Sequence, residues 1–131
     1  MSDRVLLDTC VLIQLEKLDL GDFVQSEPLV SAISIAELAF GLDTADPVQR
    51  HARTERFYAI VNRFEIVSFG VAAAKAYGTL ATLVRQHGRN PRPRRLDLQI
   101  AATAAASSVP MLTTNPADFE GLDQVVKVIA V

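Results

Sequence analysis

Val5-Leu6-Leu7-Asp8-Thr9 is an apolar run that ends abruptly in a carboxylate. Three consecutive aliphatic residues bounded in this way read as a short buried strand. Thr9 is a possible N-cap for the helix expected next, which carries Leu12, Ile13 and Leu15. Working outward, Pro28 precedes a second apolar stretch, Leu29 to Ile33, after which Ser34 is placed to cap a helix through Glu37 and Phe40 that stops at Gly41. Asp46-Pro47 opens a further helix with Phe57, Ile60, Val61 and Phe64 as its apolar stripe. Glu65 to Phe69 reads as a strand. Gly70 to His87 reads as a helix with Val71, Ala74, Gly78, Ala81 and Val84 on one face. Gly88 to Arg95 reads as a loop, Leu96 to Ser108 as an alanine-rich helix and Pro110 to Thr113 as a strand. Asn115 to Phe119 reads as a turn and Val125 to Val131 as a last strand. Strands alternating with helices predict an α/β fold with a mostly parallel sheet flanked by helices. No repeat or low-complexity linker divides it, so residues 1–131 are expected to form a single domain.

The length, 131 residues, allows a substantial core without disulfides or a structural metal. No apolar run is long enough to span a bilayer, so no membrane partner is expected. The segment before Val5 is too short and too acidic for a signal peptide, which makes the cytoplasm the expected location. The lone cysteine, Cys10, is read as a small buried hydrophobe. The formal net charge is -2, without the basic excess of many nucleic-acid binders. The charges are unevenly placed, however: Arg85, Arg89, Arg92, Arg94 and Arg95 crowd one segment, and local clustering matters more to a polyanion than the total.

Four acidic residues stand apart from those that merely solvate the surface. Asp8 ends an apolar strand, and ligand sites of open parallel sheets form beyond such strand ends. Glu37 is embedded in Ile35-Ala36-Glu37-Leu38-Ala39, where a carboxylate is costly unless paired, protonated or metal-bound. Asp97 opens the alanine-rich helix and Asp118 follows the strand ending in Thr113. Singly, a helix cap, helix-dipole complementarity or a turn would explain Asp8, Asp97 and Asp118. In a parallel α/β sheet, however, all four positions fall at the same edge. Carboxylates gathered there repel one another and call for a cation. An all-oxygen ligand set suits Mg²⁺ or Mn²⁺, ions able to support phosphodiester hydrolysis. Because an acidic cleft repels a phosphodiester polyanion, cations must flank it. Arg92, Arg94 and Arg95, in a loop stiffened by Pro91 and Pro93, are the expected polyanion-binding residues.

The stretches Leu6-Leu7-Asp8-Thr9-Cys10-Val11-Leu12-Ile13, Ser34-Ile35-Ala36-Glu37-Leu38-Ala39-Phe40-Gly41, Leu96-Asp97-Leu98-Gln99-Ile100-Ala101-Ala102 and Leu112-Thr113-Thr114-Asn115-Pro116-Ala117-Asp118-Phe119, in this order, resemble the PIN domain and, more narrowly, VapC toxins of VapBC toxin–antitoxin pairs. The resemblance covers essentially the whole chain. It implies a five-stranded parallel sheet, a homodimer, Mg²⁺- or Mn²⁺-dependent endoribonuclease activity on RNA, and inhibition by a cognate VapB-like antitoxin. By position Asp8, Glu37 and Asp97 match the family's three most regular acidic residues, as catalytic and metal-binding groups. The fourth place lies between Asn115 and Asp118. Asp118 is the choice here, with Thr9, Thr113 and Asn115 in supporting roles. Cys10 departs from the Asn or Ser common at its position.

Three rival readings are weaker: a phosphohydrolase, a receiver domain and a non-enzyme binding module. A HAD-type phosphohydrolase would need a second Asp where Cys10 stands, and a receiver domain would need a late functional lysine where Lys127 falls inside a strand pattern. A catalytically inactive RNA- or protein-binding module would leave Glu37 as an uncompensated burden.

Overall fold

In a computed structural model, which describes residues 3–131, five strands form one parallel sheet: β1 (Arg4–Leu7), β2 (Glu27–Ser31), β3 (Glu65–Val67), β4 (Met111–Thr113) and β5 (Val128–Ala130). Their order is β3-β2-β1-β4-β5. The helices are α1 (Thr9–Ile13), α2 (Ala32–Phe40), α3 (Pro47–Arg63), α4 (Val71–Gln86) and α5 (Arg95–Ala106).

The central strand feeds both faces of the sheet because successive side chains of a strand point to opposite sides. Leu6 joins the cluster containing Leu80, Leu98, Ile100 and Met111, under α4 and α5. Val5 and Leu7 join the cluster containing Val11, Leu38, Ile60 and Phe64, under α1, α2 and α3. Leu29 and Val30 of β2 and Met111 and Leu112 of β4 divide in the same alternating way. This double burial explains why the strands read as continuous apolar runs rather than alternating ones.

Several local expectations are corrected. Asp8, not Thr9, caps α1: its backbone is extended and its side chain accepts from the Thr9 N–H. Ser31, not Ser34, caps α2, accepting from the Ile33 N–H, so the helix starts earlier and Ser34 is buried within it. Pro28 lies inside β2 rather than before it. The strand tolerates it because Glu27 N–H points to β1, bonding Asp3 O at 2.7 Å, which turns the next position toward β3, where pairing starts only at Leu29↔Glu65. The last strand is shorter than expected, and the expected loop before α5 closes in a 3₁₀ turn over Arg92–Arg94. The buried face of α4 is set by Ala73, Leu80 and Val84, whereas Val71, Ala74 and Gly78 are exposed. Alanine and glycine carry little apolar area, so Leu80 and the partly buried Tyr77 orient the helix in their place.

Leu6 is fully buried at the centre of this arrangement. Leu6→Ala is expected to destabilise the fold by about 2–5 kcal/mol, read as a lower midpoint in urea denaturation with little change in its slope.

Candidate active site

The chain leaves β1 toward β2 on one side and leaves β4 toward β5 on the other, so the strand order reverses between β1 and β4. Connections that diverge in this way open a crevice beyond the carboxyl ends of the two strands. Asp8 follows β1 there and Thr113 ends β4. The Thr113 hydroxyl donates to Asp8 Oδ2 at 2.9 Å across the crevice. Helices that return antiparallel to the strands start at this same edge, which brings the first turn of α5, and with it Asp97, to the crevice.

Asp8 is 5% exposed, and a carboxylate so buried needs donors. It accepts from the Thr9 N–H at 2.8 Å, from the Thr113 hydroxyl, and from the Cys10 thiol at 3.4 Å. Cys10 is therefore not the inert apolar filler expected of it; its sulfur also lies 3.6 Å from Thr113 Oγ1. Thr113 in turn accepts from the Asn115 backbone N–H at 3.0 Å. Asn115 thus contributes its main chain to the crevice wall, while the residue as a whole is exposed.

Thr9 links Asp8 to α2. Its hydroxyl lies 2.8 Å from Ser34 Oγ and 2.9 Å from Glu37 Oε1. Ser34 is the site neighbour that the sequence reading missed. Its spacing from Glu37, three residues along one helix face, was the available signal. Burial raises the pKa of Glu37 above its ordinary value; the Thr9 hydrogen bond opposes this and the Asp8 charge adds to it.

Asp97 registers the whole constellation. Its pKa is raised to about 6, first by burial and then by the charges of Asp8, Glu37 and Asp118, with Arg94 acting in the opposite direction. The four carboxylates singled out by sequence therefore share one electrostatic neighbourhood. Among the described residues no three His, Cys, Asp or Glu side chains close into a preformed metal cage. Asp118 sits in the 3₁₀ turn Pro116–Phe119. Arg94 holds it, donating to the Asp118 carbonyl at 2.7 Å and lying 3.6 Å from Asp118 Oδ1. Arg94 is half-buried, whereas Arg92 and Arg95 are exposed.

The PIN domain family pattern matches residues 5–125, and the chain belongs to that family. Ribonuclease VapC4 from Mycobacterium tuberculosis (strain ATCC 25618 / H37Rv) is 32% identical over 112 residues, 84% of this chain and 85% of the relative. Among solved structures, VapBC-5 from Mycobacterium tuberculosis, a member of the VapBC family of toxin–antitoxin systems, superposes with a TM-score of 0.75 at 24% identity over 98% of each chain. FitAcB from Neisseria gonorrhoeae gives 0.72 at 26% identity over 95% of this chain and 96% of that one. The parallel five-stranded sheet expected from the resemblance is the fold these proteins share.

The raised pKa of Asp97 has a definite sign in linkage. A carboxyl whose folded pKa lies above its unfolded value favours folding below the unfolded value, and that contribution is lost as pH rises through about 6. In chelator-treated protein the melting temperature is expected to fall between about pH 4 and pH 6, from the ordinary carboxyl value to the raised one, and to fall less in Asp97→Asn, which cannot ionise. Equal pH dependence in both proteins would show that Asp97 does not carry the repulsion.

Proposed function

We propose that this protein is a divalent-metal-dependent endoribonuclease, the toxin of a type II toxin–antitoxin pair, acting at the β1/β4 crevice. The observation that carries the reading is the buried Asp8 carboxylate at the β1/β4 crevice, bonded to Thr113 and joined through Thr9 to Glu37, with the raised pKa of Asp97 in keeping with it. The relationship to Ribonuclease VapC4 supports RNA as the substrate.

Asp8, Glu37, Asp97 and Asp118 fit a divalent ion because they are hard oxygen donors whose mutual repulsion a cation would relieve. Mg²⁺ or Mn²⁺ is the proposed ion, supplying when bound a water acidic enough to attack a phosphodiester and charge to offset that of the leaving oxygen. The remaining work falls to this chain's own groups. Thr113 and the Thr9 N–H fix both oxygens of Asp8. The Thr9 hydroxyl restrains Glu37. Arg94 orients the turn that presents Asp118, which supports Asp118 rather than the exposed Asn115 as the fourth site residue. Arg92 and Arg95, exposed beside the first turn of α5, are free to meet RNA phosphates. Arg94, already committed to Asp118, serves RNA from behind that contact.

An antitoxin partner is proposed because VapBC-5 is a member of a toxin–antitoxin family. A homodimer is proposed from the apolar surface left on α4, where Val71 is 88% exposed, and on Leu96 nearby in sequence to the site, 43% exposed. Among the described residues no helix is long and apolar enough to cross a membrane, and the cytoplasm, where RNA is at hand, is the proposed place of action.

Asp8→Asn and Asp97→Asn remove ligand charge at nearly constant volume. Each is expected to lower metal-dependent cleavage of RNA by at least about 10²-fold while circular dichroism stays that of the wild type. Wild-type turnover by either variant at matched metal concentration would remove that residue from the site.

A further inference from the structure

A second pocket, of about 290 Å³, shares a wall with the carboxylate site: Thr9 and Glu37 line it together with Gly41, Arg53 and Arg56. The two arginines lie three residues apart on α3, so they project from the same helix face. Their neighbour Arg50 is spent elsewhere, its Nε and a terminal nitrogen donating to the Thr44 carbonyl at 3.1 and 2.7 Å. Arg53 is held in place, donating to Gly41 O at 2.8 Å and to Gln49 Oε1 at 3.3 Å. Those two bonds leave part of its five-donor fork unused.

Arg56 differs from both. Its Nε is buried without a hydrogen-bond partner, and among the described residues no carboxylate forms an ion pair with Arg53 or Arg56. An orphaned buried N–H on a charged group is a standing cost. A small shift of the guanidinium toward an acceptor in the pocket would relieve that cost. A phosphate satisfies this requirement well, since the guanidinium fork matches two of its oxygens.

We propose that Arg53 and Arg56 bind a phosphate of the RNA backbone on the Glu37 side of the crevice. This rests on the ribonuclease reading and adds to it the path of the substrate. Arg92 and Arg95 flank the acidic cluster at α5, and Arg53 and Arg56 flank it at α3, so a strand crossing the carboxylates is gripped on both sides. Two arginines without a carboxylate partner among the described residues give this pocket a positive charge, which favours a polyanion there and eases its approach to Glu37.

The test uses the full chain in an Asp97→Asn background, with a labelled single-stranded RNA of mixed sequence, over a salt series at fixed Mg²⁺. Arg53→Gln combined with Arg56→Gln is expected to weaken binding and to flatten the log–log salt dependence by roughly 0.7 for each phosphate that the protein no longer neutralises. Arg56→Lys, which keeps the charge, should retain most of the affinity. The melting temperature of Arg56→Gln should be unchanged or higher, because the orphaned donor is gone; a purely structural arginine would lower it. Unchanged affinity and slope in the double variant, with wild-type protein still cleaving RNA, would overturn the pocket while leaving the nuclease reading intact. Failure of the wild type to cleave RNA at all would sink the nuclease reading instead. Loss of poly-glutamate binding with an unchanged RNA slope would assign the pocket to an acidic protein partner and equally overturn the proposal.

Discussion

A carboxylate buried at the end of the central strand is tolerable only because three donors converge on it. Asp8 receives the Thr9 N–H, the Thr113 hydroxyl and the Cys10 thiol. The first bond starts α1, the second ties β1 to β4 beyond their last paired residues, and the third comes from the first turn of α1. The cap of a helix, the closure of the crevice and the placement of a charged group are therefore one set of contacts. The choice between Asp8 as helix cap and Asp8 as site residue dissolves, since one oxygen serves the cap while the other faces Thr113.

From that point the acidic constellation follows from topology. The reversal of strand order at β1/β4 makes the crevice. Helices begin at the carboxyl edge of the sheet, which delivers Asp97, and the turn after β4 delivers Asp118. Glu37 arrives through the Thr9 hydroxyl, which touches both Ser34 and Glu37. The resulting repulsion is visible in Asp97, where burial and three neighbouring charges outweigh the one opposing arginine. Net charge says little about such a protein. The overall balance is -2, yet Arg94 stands beside Asp118 on one side and Arg53 and Arg56 share a pocket with Glu37 on the other.

Much of this was legible in the sequence where a signal was both strong and local. The uninterrupted apolar run Val5-Leu6-Leu7 declared a doubly covered strand, and Asp46-Pro47 marked a helix start that the structure keeps, with Asp46 accepting from Val48 and Gln49. Asp8, Glu37 and Asp118 stood out because each broke an apolar context or followed a strand, and Asp97 because it opens the alanine-rich helix. Signals that depend on tertiary contact were not legible. The face of α4 went to Leu80 and Tyr77 instead of the evenly spaced small residues, because burial area outweighs periodicity when the candidates are alanine and glycine. Ser31 took the cap that Ser34 was equally fit to supply, since β2 ends there once its register with β3 is fixed at Ser31↔Val67. Cys10 looked like filler because nothing in one dimension shows that its sulfur faces Asp8 and Thr113.

The central claim is that the acids around Asp97 are a cation site and not a helix cap, a mid-helix residue and a turn residue that happen to be acidic. It is tested most directly by following the melting temperature of the wild type and of Asp97→Asn while Mn²⁺ is titrated into chelator-treated protein. Binding to the folded state alone stabilises by mass action. The account predicts a wild-type melting temperature that climbs with Mn²⁺ and a much smaller climb in Asp97→Asn. A wild-type protein indifferent to Mn²⁺, or a variant that responds as strongly as the wild type, would contradict it.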